Sequence, residues 1–162
     1  MKKVLFGLLL LGMVVLTLGA ASADVTATQT VNMEIQAINL LTVSGNPGTL
    51  TLAAPTAGNQ PAPVTDATTT YNVTTNEANK KITAAIDSAM PSGTTLSVAL
   101  AATTGGTAAG TTVLTADPSD LVTGISNIAE SGKAITYTFG ADVTAGAQQI
   151  QKTVTFTLTN GN

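Results

Sequence analysis

The chain has 162 residues, six basic against nine acidic side chains, a net charge of −3, and no histidine, cysteine or tryptophan. Without cysteine there is no disulfide framework, and without histidine or cysteine the usual nucleophiles and transition-metal ligands are missing. With no arginine and few lysines, nucleic acid is not expected as a partner and binding to anionic membrane surfaces is disfavoured, because neither a basic stripe nor guanidinium forks are available.

The chain opens with "MKK", an apolar run "VLFGLLLLGMVVLTLG" and the small-residue site Ala21-Ser22-Ala23. That order of charged, apolar and A-x-A regions predicts a secretory signal peptide over residues 1–23, cleaved before Asp24. No later run is long and apolar enough to anchor the product, so no membrane insertion is expected after cleavage. The expected location is the periplasm or the extracellular surface, in a bacterial setting. Residues 24–162 are then one domain, of a size that can bury a core.

From Val25 to Ala37 the odd positions read Val, Ala, Gln, Val, Met, Ile, Ala, and the even positions between them are polar. Period two predicts a strand, about twice the usual length, with a bulge or change of sheet near Ala37 where the apolar parity slips. "SGNPG" is a turn, "TLTLA" (49–53) a short strand, and the proline-bearing stretch 54–68 a surface loop.

Further strands are predicted over 69–75, with Tyr71 and Val73 on one face, and over 81–87, with Ile82, Ala84 and Ile86 aligned. "NEANKK" (76–81) between them reads as a solvated hairpin turn. A helix over 77–90 is the competing reading, since Ile82 and Ile86 also fit i, i+4. Next come "TLSVALA" (95–101), a glycine-rich loop (103–110), and "TTVLT" (111–115). "DPSDLVTGI" (117–125) reads as a turn and then a short strand, with a turn of helix opened by Asp117-Pro118 as the competing reading. "SGK" (131–133) is a turn into a strand that aligns Ile135, Tyr137 and Phe139. The closing strand runs from about Ile150 to Thr159. Half-apolar strands with Gly, Pro and Ser turns predict an all-β, antiparallel two-sheet sandwich, immunoglobulin-like or pilin-like, of about eight strands.

Chemistry-bearing residues are few. Asp117 and Asp120 in "ADPSD" are too few oxygens for calcium and read as a turn cap. Asn72 in N-V-T matches a glycosylation sequon but falls within a strand. Neither a catalytic set nor a metal site nor a cofactor motif is found, so no enzyme is expected. Threonine rows at Thr26, Thr28 and Thr30 and at Thr153, Thr155, Thr157 and Thr159 form hydroxyl faces. Such faces can serve ice or glycans, and threonine is equally a good exposed-strand residue. In the closing strand, Val154, Phe156 and Leu158 are expected to pack inward, against Ile135, Tyr137 and Phe139.

The N-terminal apolar row, Val25, Ala27, Val31, Met33 and Ile35, needs burial. Two fates are open: the chain's own sandwich, or addition as a strand to another molecule, which would build a fibre. "VTATQTVNMEIQAINLLTVSG…GTLTL" and "DVTAGAQQIQKTVTFTLT" resemble the opening and closing strands of secreted pilin-like sandwiches of the spore coat protein U type. Members of that family carry cysteines, and this chain has none. The resemblance implies a non-catalytic structural or adhesive surface subunit, with itself or another surface subunit as partner and a periplasmic chaperone in its assembly. The alternative reading is a small extracellular module that binds glycan or ice through its threonine faces.

Overall fold

A computed structural model describes residues 24–161; the signal-peptide prediction lies outside them. The chain divides into two units, residues 1–34 and 35–162. In the first, residues 24–34 are exposed and form no strand.

The second unit is an all-β sandwich. Its strands are β1 (Asn39–Val43), β2 (Val64–Thr75), β3 (Lys80–Ile86), β4 (Thr94–Leu100), β5 (Thr107–Ala108), β6 (Thr112–Val113), β7 (Ser119–Ile125), β8 (Ile128–Ala141) and β9 (Val154–Asn160). One sheet has the order β1-β2-β8-β4-β6 and the other β5-β7-β3-β9, with every pairing antiparallel. The predicted fold class is the observed one.

Period-two patterning built the faces as expected. Tyr71, Val73, Ile82, Ala84, Ile86, Leu96, Val98, Leu100, Ile135 and Tyr137 are buried in one core with Leu114, Leu121, Val122 and Ile125. The helix alternative over 77–90 fails because Ile82 lies opposite both Val122 and Leu158, burying its side chain between two flanking strands.

Several local expectations are corrected. The long strand over 25–37 is absent, and pairing begins only at Asn39, where β1 meets β2. An extended segment becomes a strand only when its N–H and C=O groups find a ladder, and alternation alone supplies none. Residues 49–53 form no strand either, although Leu50 packs against the core. β2 starts at Val64, so the loop expected to reach residue 68 ends earlier. "SGK" is no turn: β8 runs through it with an irregularity, residues 130–133 facing 71–73. Gly132 takes φ +68° there, and its N–H donates to Asn72 Oδ1 at 2.8 Å. Asn72 Nδ2 donates in turn to Thr42 Oγ1, so this sequon side chain ties three strands together.

"NEANKK" is also not a hairpin. Thr75 and Lys80 belong to different sheets, and residues 76–79 arch between them. Thr75, Lys80, Ile128, Asn160 and Asn39 consequently sit at one end of the sandwich. Val64, Ile86, Thr94, Ala141 and Val154 mark the other end.

The tyrosines give a first prediction. Tyr71 is 1% exposed and its hydroxyl donates to Ala101 O at 2.5 Å. Burial pushes the Tyr71 hydroxyl up to about 12, with the Glu130 carboxylate adding to the effect, and burial pushes Tyr137 up to about 12 as well. Unfolded tyrosine ionises near 10.0, so between these values the native state holds protons that the unfolded state has lost. This contribution to stability is complete below pH 10 and falls away as the pH rises towards 12. Tyr71→Phe is expected to cost about 1 kcal/mol at neutral pH and to flatten the alkaline fall, both read from urea titrations at several pH values.

Candidate functional site: an apolar cleft and an open sheet edge

β1 covers only half of β2, from Tyr71 to Thr75. Beyond Val43 the chain keeps loose contact with β2: Ser44 N–H donates to Thr70 O at 2.9 Å and Gly48 N–H to Asp66 Oδ2 at 3.2 Å. Backbone hydrogen bonds from Thr68 and Gly48, with the Thr68 hydroxyl, hold the Asp66 carboxyl below its ordinary value, favouring the charged acceptor. Residues 64–70 of β2 have no strand partner on this edge among the described residues.

A cleft of about 1570 Å³ opens there, at the end opposite Asn39. Its apolar lining includes Leu50, Met90, Leu96, Ile135, Tyr137, Phe139 and Val154. Leu96, Ile135 and Tyr137 are buried, whereas Leu50, Met90, Phe139 and Val154 are only half-buried, so part of the core faces open space. Thr69, 4% exposed, also lines the cleft, and its hydroxyl has no hydrogen-bond partner among the described residues. Two charged residues stand at the rim and both are engaged. Asp142 accepts from Thr144 N–H at 2.9 Å, and Lys152 Nζ donates to Ser88 Oγ at 2.8 Å and Ala89 O at 2.9 Å.

β9 borders the same region. It pairs with β3 on one side and ends the four-stranded sheet on the other. Val154, Phe156 and Leu158 turn towards the core as expected, but each remains half-buried. Thr155, Thr157 and Thr159 are exposed on the opposite face, and Thr153 lies exposed just before the strand. That hydroxyl row is one strand wide. The neighbouring positions on β3 are Ala85, Thr83 and Lys81, and Lys81 pairs with Asp120 at 3.1 Å. A flat threonine array therefore does not continue onto a second strand.

The N-terminal row is exposed: Val25 by 95%, Val31 by 70%, and Met33 and Ile35 by 88% each. Ala27 is exposed as well, like Thr26, Thr28 and Thr30 between them. Just before β1 the chain is clamped by Asn76. Its Nδ2 donates to Gln36 O at 2.8 Å, and its Oδ1 accepts from Ile38 N–H at 2.7 Å. The clamp fixes entry into β1 at the end of the sandwich remote from the cleft.

Asp117 is exposed and Asp120 serves the Lys81 ion pair. Among the described residues no group of three or more His, Cys, Asp or Glu could hold a metal ion, and no helix is long and apolar enough to cross a membrane. The cleft itself was not legible in the sequence, because it arises from how much of β2 the short β1 leaves bare. Its nearest signal was the pair Leu50 and Leu52, apolar positions without a strand to place them. Comparison with protein-family models, curated proteins and solved structures finds no match to the chain.

Proposed function

We propose that this protein is a secreted, non-catalytic structural or adhesive subunit that assembles head to tail by strand addition. Residues 24–37 of one copy lie in the cleft of the next, along the free edge of its β9. The observation that carries this reading is the pairing of two incomplete features. One is an exposed segment outside any strand, with an alternating apolar row; the other is an open apolar cleft beside an unpaired strand edge.

Each needs what the other has. Val25, Ala27, Val31, Met33 and Ile35 gain burial, while the backbone of the added strand satisfies the outer N–H and C=O groups of β9. β9 is seven residues long, a span of about 23 Å that an extended segment of this length exceeds. An added strand also brings hydrogen-bonding groups within reach of Thr69. Because the chain enters β1 at the end remote from the cleft, the contact joins different surfaces of two copies and does not close on itself, which yields a filament. Before assembly both apolar surfaces need cover, a task for a chaperone on the export route.

Negative-stain microscopy and light scattering of the chain beginning at Asp24 test the proposal. Filaments growing with concentration are the expected result. A monodisperse monomer at all concentrations overturns it.

A further inference from the structure

We propose that Lys80 and Asn160 join in an intramolecular isopeptide bond, with Glu77 transferring the proton. Lys80 opens β3 and Asn160 closes β9, and the two stand directly opposite in the antiparallel ladder. Lys80 Nζ lies 2.5 Å from Asn160 Oδ1 and 2.6 Å from Glu77 Oε2. With a C=O bond of about 1.23 Å, the Asn160 carboxamide carbon is within about 3.7 Å of the amine. That is close to the separation from which a bound nucleophile attacks, with most of the entropy of bringing the groups together already spent by folding.

The surroundings fix all three groups. Lys80 is 8% exposed, so its amine is held at the carboxamide rather than sweeping through solvent. Glu77 is pinned from the other sheet by Asn39 Nδ2 at 2.5 Å, and its own N–H donates to Thr75 Oγ1 at 3.1 Å. Hydrogen bonds from Lys80 and then Asn39 keep the Glu77 carboxyl below its ordinary value, the base form in which the step begins.

The reaction balances without a co-reactant. Glu77 takes a proton from the Lys80 ammonium, and the freed Nζ lone pair attacks Asn160 Cγ. The Nζ–Cγ bond forms and the Cγ–Nδ2 bond breaks. Protons from Nζ, passed through Glu77, end on the departing nitrogen, which leaves as ammonium. A rival loss of ammonia is closure of Asn160 on the following amide nitrogen. Here Gly161 N–H donates to Asn79 O at 2.6 Å, which engages that nitrogen elsewhere. The bond would tie the last strand covalently to the centre of its sheet. It does not depend on the assembly proposed above.

Intact mass and peptide mapping of the folded protein decide the matter. The expected mass is lower than that of the sequence by one ammonia, with a branched peptide joining Lys80 to Asn160. Lys80→Met and Asn160→Ala should each restore the full mass. Glu77→Gln, checked for folding by circular dichroism, should leave the chains unlinked or link them far more slowly. A folded wild-type protein that keeps its full mass after prolonged incubation overturns the proposal. So does ammonia loss mapped to a linear peptide closed at Asn160–Gly161. A Glu77→Gln protein that links as fast as wild type removes Glu77 from the step.

Discussion

A chain shortened to begin at Gln36 is expected to stay folded and to lose assembly completely. Starting there preserves both halves of the Asn76 clamp, Gln36 O and Ile38 N–H, and all of β1. The removed part has no strand of its own, and its large apolar side chains are exposed, so the sandwich loses no core. Its melting temperature should match that of the longer chain, since changes away from buried contacts shift stability by about 0.5 kcal/mol or less. Assembly loses much more. Each Val, Met or Ile buried at an interface contributes about 1.5–3 kcal/mol of transfer free energy, and that row is what offsets the cost of fixing one copy against another. A synthetic peptide of residues 24–37 should bind the shortened protein one to one, read by calorimetry, without restoring filaments. Filaments from the shortened chain, or failure of the peptide to bind, would place the contact elsewhere.

The contrast between what the sequence announced and what it hid has a physical basis. Alternation reports which face of a strand is apolar, so β3, β4 and the Tyr71 half of β2 were readable from Ile82, Val98 and Val73. It does not report whether a partner strand exists, which is why 25–37 and 49–53 looked like strands and are not. Turn residues mislead where they serve bulges. Gly132 supplies a positive φ inside β8, and the signal is the same as for a chain reversal. The N-terminal apolar row was visible as a candidate interaction element. The cleft was not, since it depends on the registers of β1, β2 and β9. The Lys80, Glu77 and Asn160 group was hidden for a related reason: Lys80 looked like part of a solvated turn. It is buried because β9, far away in sequence, closes beside it.

Ile82→Ala is expected to be among the most damaging single changes to the fold, and Leu158→Ala supplies the informative comparison. Ile82 is 0% exposed at the centre of the four-stranded sheet, opposite Val122 on β7 and Leu158 on β9. Truncating it removes buried methyl groups and leaves a cavity between three strands that cannot collapse without breaking pairing, a cost of about 2–5 kcal/mol. Domains of this kind hold only about 5–15 kcal/mol, so the urea midpoint should fall sharply with an unchanged slope. Leu158 lies on the edge strand and is half-buried, so in the separated subunit its loss forfeits only part of a leucine's burial, under about 2 kcal/mol. In filaments the added strand would cover that same side chain, and Leu158→Ala should then weaken assembly more than it weakens the subunit. Ile82→Ala should do the reverse, destabilising the subunit without a further penalty specific to the filament. Denaturant titrations of dispersed and assembled protein, run side by side on both variants, separate the two patterns. Equal losses for Leu158→Ala in both states would mean that nothing docks along β9.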